Sequence, residues 1–255
     1  MLSVWACVSI VICSIVFSVG FLFVLRWIWP AAGRTAHNDI IGWQISVLGT
    51  TYAVILAFML WNVWNNFQTA RINADAEANA LVNLYRLADG LPMEEANPVR
   101  TFVREYARIN VEEEWPAMAR EQFSTRGFAL TQKLWETLLQ KLPEDTAQQT
   151  RTTQAFAALT SMTEHRRLRQ LESRLKLPQI LWGVLIVGAL VVIGSACLFG
   201  CQNLWLHFVH VFVLSLLLSL VLVAIAEIDR PFQGPVRVQP DAFVFALQTF
   251  DQYSQ

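Results

Sequence analysis

Four stretches of the chain are apolar for about twenty residues or more, and a long mixed stretch separates the first pair from the second. Residues 2–29, 40–64, 178–199 and 204–226 are each long enough to cross ~30 Å of hydrocarbon as a helix. The last three contain no Asp, Glu, Lys or Arg, and the first carries only Arg26 near its far end. The second stretch shows no stop signal at the membrane surface. From Asn65 to Ala88 it has no Pro or Gly, and it is rich in Ala, Leu, Arg and Glu, which favour helix. The pattern therefore predicts one helix from Ile40 to about Leu87 that leaves the bilayer and becomes a wall of an extramembrane domain.

At about 100° per residue, one stripe of that helix reads Thr50, Val54, Phe58, Trp61, Asn65, Gln68, Ile72, Ala76, Asn79, Asn83. The opposite stripe reads Leu56, Met59, Val63, Phe67, Ala70, Ala74, Leu81. The apolar stripe is the packed one, so the amide-bearing stripe faces water. An apolar bottleneck opening into an amide-lined wet face is the pattern of a pore-lining helix. Polar side chains joining neighbouring helices produce a similar stripe, so periodicity leaves both readings open.

Between the two pairs of spans the pattern is helical throughout. One helix is expected over 94–115, ended by Pro116, with Phe102, Tyr106, Ile109 and Val111 as its apolar contacts. A second is expected over 128–142, ended by Pro143. A third starts after the Glu144-Asp145 cap region and runs to Leu177, where Pro178 bends it into the third span. No stretch alternates with a period of two, so no sheet is predicted. After residue 227, Pro231, Pro235 and Pro240 hold the tail extended before a last helix near 241–252. The domain plan is 1–66 (two spans), 67–177 (helical domain), 178–226 (two spans) and 227–255 (tail).

Composition agrees with the pattern. The chain has 255 residues, of which 55% are hydrophobic and 15% charged, which marks a membrane protein with a modest extramembrane part. A formal net charge of -1 gives no basic footprint for nucleic acid. Tryptophans cluster near the span ends: Trp5, Trp27, Trp43, Trp61, Trp64, Trp182 and Trp205. Arg71, Arg86, Arg166, Arg167, Arg169, Arg174, Lys176, Arg230 and Arg237 fall on one side of the four-span topology, against Arg26 and Arg34 on the other. That bias places the helical domain and both termini in the cytoplasm.

Chemistry is sparse. Cys7, Cys13, Cys197 and Cys201 all lie in apolar segments and read as small packing residues. Glu112, Glu113 and Glu114 read as a solvated face, with cation binding as the lesser alternative. His207 and His210 read as helix packing before metal ligation. No nucleotide fingerprint, nucleophile elbow or HExxH motif occurs, so no enzyme, metal or cofactor is expected. The spans lack the ionisable groups of a proton relay, which leaves passive conduction as the transport mode. On that reading, fixed charge on the path begins only at Arg71, Asp75 and Glu77.

Four runs carry a resemblance: TTYAVILAFMLWNVW, EANALVNLYRLADGLP, REYARINVEEEWPAM and EIDRPFQGPVRV. In this order they resemble the bestrophin-like family of bacterial membrane proteins of unknown function, which is distantly similar to the bestrophin ion channels. The resemblance implies an all-α membrane protein with four spans per subunit, a helical cytoplasmic domain between spans two and three, and a homopentamer. It also implies a second span lining a narrow neck of three positions spaced by four, the last being the Phe of a small-residue–Phe pair. Ala57-Phe58 resembles that pair, which puts Thr50, Val54 and Phe58 at the neck and Trp61, Asn65, Gln68 and Asn79 along the vestibule. Thr50 departs from the apolar pattern, and Trp61, Asn62 and Asn65 stand where bestrophins commonly carry an Arg-bearing stretch. Asp229, Pro231 and Phe232 resemble the turn after the fourth bestrophin span. Its acids are too few here for the calcium clasp of the animal channels. The resemblance implies small inorganic ions, anions somewhat favoured, crossing the inner membrane. The competing reading is a non-conducting scaffold or sensor whose cytoplasmic helices bind a partner protein.

Overall fold

The computed structural model describes residues 4–140 and 145–253, and among them there is no strand. The chain divides into two compact units, Met1–Asn65 with Lys176–Asp229 and Asn66–Leu175 with Arg230–Gln255.

The first unit holds the apolar helices. These are α1 (Val4–Ile28), the short α2 (Ala31–Arg34), the first part of α3 (Asn38–Leu87), α8 (Gln179–Leu198) and α9 (Leu204–Ile228). Among the described residues, four helices are long and apolar enough to cross a membrane. α1 packs along α9, and α8 packs against both. α3 approaches α8 closely at Tyr52. Tyr52 donates its hydroxyl proton to the Leu185 carbonyl at 2.5 Å, and Gly188 lies so close that a Cβ there would strike the Tyr52 ring. The turn between α8 and α9 is tied to the turn before α3. Asn38 accepts from the Gly200 amide at 2.7 Å and donates back to the Gly200 carbonyl at 3.1 Å. A side chain at Gly200 would collide with the Arg34–Thr35 backbone. Arg34 is fully buried and donates to the Cys197 carbonyl at 2.6 Å, satisfying an end-of-helix acceptor. His207 does the same at the Ala196 carbonyl (3.1 Å), which is a packing role, while His210 is exposed.

The second unit holds the later part of α3, α4 (Met93–Ile109), α5 (Trp115–Met118), α6 (Thr125–Leu139), α7 (Thr146–Glu172) and α10 (Asp241–Tyr253). Ser124 caps α6 by accepting from the Arg126 amide, and Asp145 caps α7 by accepting from Gln148 at 2.6 Å. The core gathers alanines and leucines of α3 with Val99, Val103, Leu134, Leu159, Phe243 and Phe250. α10 is part of this core: Phe250 stacks on Tyr85 at 4.4 Å, and Phe243 meets the Trp115 ring at 5.4 Å.

Three local expectations are corrected. Pro116 does not end its helix. The chain widens into a π turn at Asn110–Glu114 and continues through Pro116 to Met118. The wider turn accommodates a residue that has no N–H and a bulky ring. α7 ends at Glu172 rather than Leu177, so non-helical residues precede Pro178, which caps α8 instead of bending a continuous helix. α6 ends at Leu139, three residues short of the expected limit. The expected stop at Pro143, the Glu144 part of the cap and the start of the first span at Leu2 lie outside the described residues.

Candidate pore-lining helix

The orientation of α3 follows from which side chains it buries. In the first unit Tyr52, Leu56 and Val63 are buried at spacings of four and seven, against Leu185, Ala189 and Val192 of α8 among others. Positions two residues on from these point the opposite way. Thr50, Val54, Phe58, Trp61 and Asn65 are accordingly all exposed, with Val54 at 50% and Phe58 at 65%. In the second unit Ala70, Ala74, Ala78 and Leu81 are buried, Gln68 is half-covered, and Asn79 and Asn83 are exposed. Thr50, Val54, Phe58, Trp61 and Asn65 thus share one open face of α3, which bears no charged side chain in the first unit.

The turn after α9 is arranged differently. Asp229 accepts from the Leu177 amide at 2.8 Å, fixing the strand of chain that enters α8. In the second unit Phe232 is 2% exposed and meets the Trp115 ring edge-on at 5.7 Å. Pro231 is buried and its carbonyl accepts from Val238 at 2.7 Å. These are folding contacts. Among the described residues no three His, Cys, Asp or Glu side chains are grouped to hold a metal ion.

The largest departure from expectation lies inside the second unit. Glu77, read from the sequence as lining the aqueous path, is fully buried and forms a two-point ion pair with Arg169: Nε to Oε2 at 2.6 Å and Nη2 to Oε1 at 2.9 Å. Tyr106 donates to the same carboxylate at 2.5 Å, and Arg169 also donates to Asn110 Oδ1 at 2.7 Å. The guanidinium lies 4.8 Å from the Trp115 ring centre. Burial, then the Glu77 charge, pushes the Tyr106 phenol well above its ordinary value. Burial alone would lower the Arg169 guanidinium, but Glu77, joined by Tyr106 and Glu114, outweighs it and holds the proton more firmly than usual.

A second pair continues the interior. Glu114, expected on a solvated face, is fully buried and accepts from Arg166 at 3.3 Å and from Gln170 at 3.0 Å. Nearby on α7, Glu172 accepts from Asn73 at 2.5 Å, while Asn73 Oδ1 lies 3.0 Å from His165 Nδ1. Burial raises the Glu172 carboxyl against the opposing hydrogen bond from Asn73. Arg71 and Asp75 remain exposed. The signal for this interior was present. Ala155, Leu159, Met162, Arg166 and Arg169 follow one helical stripe, so two arginines occupy positions that periodicity assigns to the core.

Comparison with known proteins places this arrangement. No curated protein sequence matches the chain. A point mutant of a bacterial bestrophin homologue from Klebsiella pneumoniae superposes with a TM-score of 0.71 at 13% identity, covering 96% of this chain and 99% of that one. A second point mutant from the same organism gives 0.63 at 17% identity, with 96% and 99% covered. A mutant described as a membrane protein gives 0.65 at 13%, with 98% and 99% covered. At these identities the match establishes the fold. The bestrophin-like domain model covers residues 12–243, nearly the whole chain. An all-helical protein with this order of elements, matched over that length, belongs to the bestrophin-like family.

Proposed function

We propose that the protein is one subunit of a passive ion channel, five copies to a ring, in which the open face of α3 lines the aqueous path. Thr50, Val54 and Phe58 form the neck, and Trp61, Asn65, Gln68 and Asn79 line the vestibule beyond it. The observation carrying this reading is the exposure of Val54 and Phe58, opposite the buried Tyr52, Leu56 and Val63. Rotational symmetry lets one such face per subunit enclose a path that no single subunit contains. An uncharged, largely apolar neck gates by size and wetting, which is the mode open to a helix without fixed charge. Anions are the favoured cargo by family likeness. The bias of basic residues supports an inner-membrane subunit with both termini and the second unit in the cytoplasm.

Phe58→Ala should raise single-channel conductance in planar bilayers by removing the largest ring from the neck. Currents equal to those of the unaltered protein would remove Phe58 from the neck. Flux into liposomes with anion and cation substitution then names the ion.

A further inference from the structure

The second unit carries a groove of about 780 Å³ lined by α4 and α6, separate from the exposed face of α3. Arg100, Arg104 and Arg108 of α4 line it, with Arg126 and Lys133 of α6, against one lining carboxylate, Glu105. The α4 arginines recur every fourth residue, so they form a row ~12 Å long on one side of the helix. Phe102, Ile109 and Leu130 give the groove an apolar floor, and the Lys133 ammonium lies 5.6 Å from the Phe102 ring centre.

The carboxylates that these cations meet are mostly outside the groove. Arg100 pairs with Asp89 and Arg104 with Asp251, whose side chains are 63% and 64% exposed. Arg126 pairs with Glu113 and, at 3.1 Å, with Glu105, which also lies 3.6 Å from Arg108. In each of these pairs one partner is well exposed and the other about a third exposed, and such surface pairs hold weakly, by about 0–1 kcal/mol each. A ligand with several anionic groups can therefore displace them, because it engages many guanidinium forks at once.

We propose that this groove binds a small, elongated polyanion with two or more phosphoryl groups in a row. Arginine forks grip phosphate oxygens two at a time, and successive forks one turn apart match successive anionic groups. A single compact dianion would reach only part of the row. The site stands whether or not the chain conducts ions, since it rests on a different part of the molecule.

The test is isothermal titration of the full chain in detergent with tripolyphosphate, citrate and sulfate at matched ionic strength. Tripolyphosphate should bind saturably and at least ten-fold tighter than either other anion, and rising salt should weaken it. Arg104→Gln and Lys133→Gln should each weaken it several-fold. Asp251→Asn, which removes a competing carboxylate, should tighten it, a result that loss of folding cannot imitate. Equal binding of tripolyphosphate and sulfate would overturn the proposal, and so would citrate binding as tightly as tripolyphosphate. Binding unmoved by all three variants would do the same. Dissociation of the oligomer in Arg104→Gln with tripolyphosphate binding intact would reassign the groove to contact between copies.

Discussion

The two units solve the problem of polar groups in opposite ways. In the first, the spans hold almost no charge. Polar contacts there include side-chain hydrogen bonds to buried backbone carbonyls, as with Arg34 on Cys197 and Tyr52 on Leu185. In the second, the core encloses two full ion pairs, Glu77–Arg169 and Glu114–Arg166, drawn from α3, α7 and the π turn. Apolar helices in lipid gain little from burying oil against oil, so close approach at small residues such as Gly188 specifies their packing. Helices in water collapse readily on any apolar stripe, and a buried pair of charges admits only the register that brings the partners together. Retention of such pairs for specificity rather than stability is our hypothesis for this unit.

The largest effect should come from leaving one buried charge alone. Arg169→Met strands Glu77 and should lower stability by about 3–5 kcal/mol, read as a large drop in the thermal midpoint in detergent. The double variant Glu77→Leu/Arg169→Met should recover most of that loss. If it does not, the pair is stabilising in itself and the specificity hypothesis is wrong. Gly188→Leu should come next, because the added side chain meets the Tyr52 ring and forces α3 away from α8, at a cost of about 1–3 kcal/mol. Destabilisation no greater than that of Gly183→Leu, which has open space around it, would contradict the close-packing account.

A smaller effect is expected at Glu172. Its folded carboxyl titrates above the unfolded value, so folding favours its protonated form. The folded state loses stability as pH rises from the unfolded value through the folded one, and that loss persists at neutral pH. Glu172→Gln should therefore raise the midpoint at pH 8 relative to the unaltered protein. The two proteins should converge toward pH 4, and a gain equal at both pH values would argue against the carboxyl as its source. The smallest change should be at the open face of α3. Val54→Ala should leave the midpoint of the isolated subunit nearly unmoved, and a loss above about 1 kcal/mol would place Val54 against a neighbour.

The corrections have separate causes. The acidic run at 112–114 reads as a wet helix face because charge usually marks solvent. Yet Glu114 falls on the buried side of a helix whose winding has changed at the π turn. At constant winding Glu114 already continues the buried stripe of Val103, Tyr106 and Asn110, so its charge hid a position that the period assigns to the core. Pro116 read as a stop because a proline inside a helix usually breaks it. Glu77 sat between Ala74 and Leu81 on the packed stripe of α3, so its burial was legible once its partner on α7 was known. The tail after Asp229 offered only prolines, and no local signal shows that Phe232, Phe243 and Phe250 pack on helices from earlier in the chain.

Sequence by itself determined what depends on runs and periods. Four apolar spans, the uninterrupted helix from the second of them, the helical character of the intervening region and the family all follow from hydrophobicity, propensity and motif order. Tertiary structure decided what depends on partners distant in the chain: which charges are interior, where α7 stops, and where the final helix packs. A side chain's burial is a property of the elements that come to cover it, and those elements lie up to about a hundred residues or more away.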